Sequence, residues 1–167
     1  GYFQAEVYKQ GLEKLGYKSI DSGELIFEDY FLPADNLIGG TEGQGFYQAT
    51  GGLELGRINI AARGAGIAEG ALKLATTYAQ TRKTFGKPIC QHQAIQLKLG
   101  EMATRSRAAR LMVLDSAHAF DRGERCDMEA GMAKFYCSEA ALENATESMR
   151  IHGGYGYSKE YHIERLY

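Results

Sequence analysis

The sequence predicts a mainly α chain: an antiparallel, up-down bundle of the four-helix type, preceded by the remnant of a β-domain. Three observations carry this. Beyond about Gly45, apolar residues recur at three- and four-residue steps over long stretches. Those stretches are separated by short breaks of glycine, proline and charge around 82–88, 122–125 and 153–157. Residues 1–40 show no helical period.

Residues 1–40 are expected to be the end of a β-domain, and 41–167 a helical bundle cut before its last helix. The segment from Ser19 to Leu32 reads as a turn and then extended chain, with Leu25, Phe27 and Tyr30 available for burial. Pro33-Ala34-Asp35-Asn36 closes it as a turn. So little β-structure cannot bury itself, which suggests a sheet whose remainder lies elsewhere. The opening Gly1-Tyr2-Phe3-Gln4 and the closing Arg165-Leu166-Tyr167 likewise read as a piece of something longer.

The first long helix is predicted from about Gly45 to Thr81, with an apolar stripe of Phe46, Ala49, Leu53, Ile60, Gly64, Ile67, Ala71, Ala75 and Tyr78. Small residues crowd its middle, Gly64 and Gly66 among them. Each glycine lowers helicity by about 1 kcal/mol, so close approach of another backbone or a ligand is the expected compensation. A second helix is predicted from about Gln91 to Phe120, with a seam of Ile95, Leu99, Met102, Ser106, Ala109, Val113, Ala117 and Phe120. Arg122-Gly123-Glu124-Arg125 ends it. Asp127 is placed as the N-cap of a third helix to about Met149, whose narrow face is Ala130, Ala133, Cys137, Ala141 and Ala145. After a glycine turn, Ser158 is placed as the cap of a fourth helix.

Composition sets bounds. At 167 residues and 44% hydrophobic content the chain is long enough for a core. A formal net charge of −2 gives no reason to expect nucleic acid. Cys90, Cys126 and Cys137 include no CxxC pair and read as reduced thiols of an intracellular protein. No apolar run approaches the ~20 residues that span a bilayer, so no membrane insertion is expected. No histidine or cysteine cluster has metal-ligand spacing, so no metal site is expected.

Two breaks carry the chemistry. In Thr81-Arg82-Lys83-Thr84-Phe85-Gly86-Lys87-Pro88, Arg82 can fork onto a phosphate, Thr84 can add a hydrogen bond, and Phe85 offers a ring to a flat ligand. Equally, the cations can cap the carbonyl end of the preceding helix. His92 and Gln93 open the next helix. His92 reads as a surface or capping residue, while Gln93 can reach an adenine or pyrophosphate edge. In His152-Gly153-Gly154-Tyr155-Gly156-Tyr157, glycines let a backbone approach a ligand, although a plain helix–helix turn accounts for them as well. Arg150 and His152 add charge or cap the helix. The turn is no Rossmann fingerprint, because helix flanks it on both sides. Together the two turns suit a large, anionic, partly aromatic ligand such as FAD. Glu54 and Arg57 form either a solvated pair one turn apart or, beside Gly51, Gly52 and Gly56, the wall of a cleft.

Taken in order, Phe27-Glu28-Asp29, Pro33 to Gly39, Glu54-Leu55-Gly56-Arg57, Arg82 to Pro88, His92-Gln93-Ala94 and Ile151 to Tyr157 resemble the acyl-CoA dehydrogenase family over nearly the whole chain from about Leu12. The resemblance implies a subunit with an N-terminal helical domain, a middle β-domain and a C-terminal four-helix bundle. It implies FAD as cofactor and oxidation of an acyl-CoA, as in fatty acid metabolism, to its 2,3-enoyl-CoA. The implied partners are electron-transfer flavoprotein and further copies of the chain, as a dimer of dimers. The implied place is the bacterial cytoplasm or the mitochondrial matrix. By the same resemblance Arg82, Thr84, Phe85 and Gln93 hold the FAD of a neighbouring subunit. Arg150, Ile151, His152, Gly153 and Gly154 cradle an FAD pyrophosphate, so that the two turns serve FAD molecules of two subunits. Glu54 and Arg57 line the CoA and acyl channel.

Two departures stand out. Arg150 occupies a place where many members have glutamine. The catalytic glutamate is absent from both family positions: Gly56 stands at one, and the other lies in a Glu-Gly-Thr segment expected beyond Tyr167. No catalytic residue is therefore assigned within the chain, which is expected to be inactive alone. The alternatives are a noncatalytic helical assembly module of the same fold and an acyl-CoA oxidase.

Overall fold

Helix α1, Gly45–Thr81, is the longest element of the computed structural model, which describes residues 7–8, 13–16, 19–20, 22–27 and 29–167. A tight hairpin follows, β3 (Lys83–Thr84) against β4 (Lys87–Pro88), then a 3-10 turn at Ile89–Gln91. Helix α2 spans Gln93–Asp121 and α3 spans Asp127–His152. Two 3-10 turns, Gly153–Tyr157 and His162–Arg165, close the chain. No helix among the described residues is long and apolar enough to cross a membrane.

Two compact units divide the chain, Gly1–Phe46 and Tyr47–Tyr167. In the first, β1 (Val7–Tyr8) pairs antiparallel with β2 (Glu24–Leu25), in the register Val7 to Leu25. Asn36 N–H donates to Pro33 O at 3.0 Å, making the turn predicted there. Phe27 and Tyr30 are exposed rather than buried, and meet each other edge to face at 5.7 Å. A two-stranded pair gives them no core to enter. The side chain of Leu25, residue Glu28 and the opening Gly1-Tyr2-Phe3-Gln4 lie outside the described residues.

In the second unit the helices run up, down and up. Ile58 of α1 packs with Ala119, Cys126 and Ala130, whereas Ala71, Ala75 and Tyr78 pack with Met102, Ile151 and Ile163. Hence α1 and α3 are parallel, with α2 antiparallel to both. The predicted α1 stripe is right from Gly64 onward and wrong before it: Phe46, Leu53 and Ile60 are exposed. Ile58 already touches the α2–α3 connection, so the turns of α1 before it run past the ends of their partners, whereas Ile60 follows it on the far side of the helix. The predicted α3 face is buried throughout, from Ala130 to Ala145. In the α2 seam Met102, Ser106 and Ala109 are buried, but Phe120 is exposed.

Gly64 explains the small-residue belt. A Cβ there would lie 2.6 Å from the carbonyl oxygen of Cys137, so α1 and α3 touch backbone to backbone. At Gly66 a Cβ would meet nothing within 4 Å. Near the belt Asn144, fully buried, shares the two N–H groups of Nδ2 among Ala68 O at 3.2 Å, Met102 O at 3.0 Å and Ser106 Oγ at 3.0 Å. One amide thereby ties all three helices.

Three boundaries differ from expectation. Cys126, not Asp127, is the N-cap of α3, while Asp127 pairs with Arg125 in the first turn, where a carboxylate also suits the helix dipole. Helix α2 begins at Gln93 because Pro88 starts a 3-10 turn before it. The fourth helix is only the 3-10 turn His162–Arg165, capped by Tyr161. The Ser158 hydroxyl accepts instead from Glu160 N–H at 3.2 Å. All three cysteines are free, as expected.

Candidate functional site

The end of α1 is fixed through its backbone. Arg82 N–H donates to Tyr78 O at 2.8 Å, and Arg82 O accepts from Ile89 N–H at 2.8 Å. Its side chain is exposed and makes no ion pair among the described residues. Phe85 and Gly86 then form the two-residue turn of the β3–β4 hairpin, with φ of 49° and 80°. Two positive φ values are the type I′ pattern that matches strand twist. Phe85 is unusual there, because a bulky residue in the left-handed region is strained. Its ring is 97% exposed. The hairpin was missed in the sequence, although two residues ending in glycine between short extended segments are its signal.

At the end of α3, Gly153 takes φ 61° and gives its N–H to Arg150 O. Gly156 is buried, and a Cβ there would lie 2.5 Å from Met149 O. Both are thus required by the local fold. Gly154 is required by neither argument: a Cβ there would meet nothing, and its surface is open.

Because α1 and α3 are parallel, these two ends meet. Tyr78, Arg82, Thr84 and Ile89 face Ile151, His152, Gly153, Gly154, Tyr155 and Ser158 across a cleft of about 570 Å³. The two turns therefore line one cleft of one chain. His152 is 3% exposed and stacks on Tyr78, with ring centroids 4.3 Å apart. Its Nδ1 lies 2.7 Å from Ser148 O, an acceptor only, so Nδ1 carries the proton. The ring is thus a wedge beneath the cleft rather than an exposed charge. Burial pushes the Tyr78 hydroxyl pKa up, the Arg82 charge opposes this, and Tyr161 and Tyr155 add to the rise. The phenol therefore stays protonated and able to donate at neutral pH.

The remaining candidates lie elsewhere. Phe85 and Gln93 are exposed beside the cleft but do not line it. Arg150 points to Glu147, which Lys98 also holds. Glu54 and Arg57 sit toward the other end of α1, roughly 37–42 Å from Arg82 along the helix axis. There Cys126 Sγ faces Glu54 Oε2 at 3.7 Å, and burial, then the Glu54 charge, pushes that thiol pKa up. Arg57 is exposed and adds a weak favourable field at Asp127, whose carboxyl is held below its usual range mainly by the Arg125 hydrogen bond. Reasoning from sequence missed Tyr78, Ile89, Tyr155 and Ser158 as lining residues. Tyr78 was read as core, Tyr155 stands in a turn singled out only for its glycines, Ser158 was placed as a helix cap, and no local motif marks Ile89.

A family pattern described as acyl-CoA dehydrogenase, C-terminal domain, matches residues 43–167. An acyl-CoA dehydrogenase of Bacillus subtilis (strain 168) is 48% identical over 153 residues, covering 92% of this chain and 40% of the relative. A 3-(aryl)acrylate reductase of Clostridium sporogenes is 41% identical over 155 residues, covering 93% and 41%. The structure of butyryl-CoA dehydrogenase from Megasphaera elsdenii superposes with a TM-score of 0.88 at 40% identity, covering 94% of this chain and 41% of that one. The chain thus spans about two fifths of the length of these relatives.

Proposed function

Since the chain belongs to the acyl-CoA dehydrogenase family, we propose that it supplies the FAD-binding and oligomer-interface part of an enzyme that oxidises an acyl-CoA to its 2,3-enoyl-CoA. One observation carries the cofactor reading: Arg82 and Thr84 share a single cleft with Gly153 and Gly154, from a turn about 70 residues away in sequence. The cleft passes a test of fit. It offers a guanidinium without an ion-pair partner among the described residues, a hydroxyl, and a glycine whose missing side chain the local fold does not require. Arg82 would fork onto a phosphate, Thr84 would donate to it, and Gly154 would let the ligand lie against backbone. Phe85 would pack its exposed ring on the ligand from the rim. Gln93, Arg150, Ile151 and His152 complete the proposed binding set, Ile151 and His152 chiefly as its floor.

FAD, when bound, supplies the two-electron acceptor. The base that removes the proton beside the thioester carbonyl is proposed to be a glutamate outside this chain, because Gly56 offers no group. Glu54 and Arg57 are proposed to line the CoA and acyl channel. Residues 1–40 are proposed to be the end of a β-domain and 41–167 the bundle domain. The relatives named as dehydrogenase and as arylacrylate reductase resemble the chain at similar identity, so the proposal concerns a two-electron step at adjacent carbons rather than one acyl group. Electron-transfer flavoprotein is the proposed electron acceptor. Further copies of the chain are the proposed structural partners, for α3 leaves Met128, Met132, Phe135 and Leu142 exposed at steps that keep one helix face.

Two substitutions in the whole protein test the cofactor reading. Arg82→Ala removes a charge-assisted hydrogen bond worth roughly 1.5–3 kcal/mol, so FAD affinity falls on the order of 10- to 150-fold. Apoprotein melting stays put, because both bonds that fix Arg82 are backbone bonds. Gly154→Ala likewise lowers flavin retention without unfolding the bundle. Full flavin content in both variants after dialysis rules the reading out.

A further inference from the structure

Thr84 and His92 form a pair across the hairpin. Thr84 Oγ1 lies 3.0 Å from His92 Nε2, and both side chains are half-buried. Thr84 lines the cleft, while His92 stands behind it at the N-cap of α2. His92 makes no side-chain capping bond. Its backbone is already fixed: N–H donates to Ile89 O at 3.0 Å, and O accepts from Ile95 N–H at 3.0 Å and Gln96 N–H at 3.1 Å. The edge of Phe85 closes one side of the ring, with centroids 6.2 Å apart at 86°. The imidazole therefore does no capping work, and its contact with Thr84 needs another explanation.

A threonine hydroxyl has one hydrogen and two lone pairs. If Oγ1–H donates to Nε2, only lone pairs remain for the cleft, and they repel an anion. If Nε2–H donates to Oγ1, the hydroxyl hydrogen is released toward the cleft and can bond a phosphate oxygen. The same 3.0 Å contact thus has two directions, and only one suits an anionic ligand.

We infer that His92 is a positioning residue: by donating from Nε2 it turns the Thr84 hydroxyl into a donor toward a phosphate group in the cleft. This rests on the FAD reading above and adds to it the proton arrangement behind the ligand. Binding selects the form of His92 that carries a proton on Nε2, whether neutral or charged.

The test is a double-mutant cycle on the whole protein, stripped of flavin and titrated with FAD, each variant checked for unchanged melting. His92→Leu weakens FAD binding about three- to tenfold, as expected for one ordinary hydrogen bond. In a Thr84→Val background the same substitution costs less than about twofold, because the hydroxyl it acts through is gone. His92→Gln, whose amide can donate, stays within about twofold of the wild type. In protein carrying ring-labelled histidine, adding FAD moves the Nε2 signal of His92 to the protonated form, a change that mere packing does not produce. Equal losses for His92→Leu in both backgrounds, or an Nε2 signal that stays unprotonated with FAD bound, overturn the inference. Arg82→Ala separates the two failures. If it releases FAD while His92 and Thr84 prove uncoupled, only the positioning role falls. If the wild type itself takes up no FAD, the cofactor reading falls and this role with it.

Discussion

At the level of Gly64, α1 and α3 meet backbone to backbone, and the buried residues around the contact are alanines and Cys137. About four turns further along α1, the same two helices are separated by Tyr78 stacked on His152, with Tyr161 edge-on to both rings. The first arrangement removes space and the second creates it. A bundle pinched in its middle and wedged at its end has a rigid mouth there, into which the hairpin and the glycine turn both project. The wedge is expected to carry more stability than the pinch, because it buries the rings of Tyr78 and His152 with Tyr161 half-buried beside them, whereas the buried side chains of the pinch are small.

Tyr78→Ala breaks the wedge and should have the largest effect, a loss of about 3–5 kcal/mol on urea unfolding from a cavity under the cleft. Tyr78→Phe keeps the ring and should cost about 1 kcal/mol or less. Gly64→Ala breaks the pinch. The added methyl meets the Cys137 carbonyl at 2.6 Å, and overpacking costs roughly 1–3 kcal/mol even against the ~1 kcal/mol gained in helix propensity. Gly66→Ala, open on all sides, should gain up to about 1 kcal/mol on the same helix. Equal responses at the two glycines would remove the pinch from the account.

Glu147 sharpens the comparison through pH. It lies one turn before the wedge and bridges Lys98 of α2 to Arg150 of α3. Burial raises its pKa, but the hydrogen bonds from Lys98 and Arg150 outweigh this and hold it below its ordinary value of 4.5. A depressed carboxyl adds stability that is complete above the unfolded pKa and is lost as pH falls through the folded one. Glu147→Gln should therefore cost about 1 kcal/mol at pH 7 and nothing near pH 2. Unfolding curves of the two proteins that stay apart at low pH would show that shape, not charge, sets the difference.

The same contrast marks what the sequence made legible. Periodicity located α1, α2 and α3 within a few residues, and the alanine face of α3 was read correctly, because helix packing repeats with the chain. The point where α1 outruns its partners is set by the length of α2 and the α2–α3 turn, so the exposure of Leu53 left no local mark; Ile60, beyond that point, is exposed because it lies about 200° around the helix from buried Ile58. Motif reasoning found Arg82, Thr84, Gly153 and Gly154. These belong to two turns that α1 and α3, running parallel, bring to one cleft. Tyr78 and His152 were invisible as a pair, since stacking between residues some 70 positions apart depends on helix register.

Phe85 is where the two ends of this comparison touch, and it should give the smallest shift. Its φ of 49° places a large side chain in the left-handed region, which costs about 1 kcal/mol, and its ring recovers little because it is 97% exposed. Asparagine tolerates that region and, unlike glycine, adds little freedom to the unfolded chain. Phe85→Asn should therefore stabilise the bundle by about 0.5–1 kcal/mol, or on the order of 1–4 °C in melting temperature. In the whole protein it should also weaken FAD retention, because the ring proposed to pack on the ligand is gone. A gain in melting with a loss of flavin marks the strain as retained for binding. A gain with undiminished flavin places the ring outside the ligand's reach and leaves the cleft with Arg82, Thr84 and Gly154 alone.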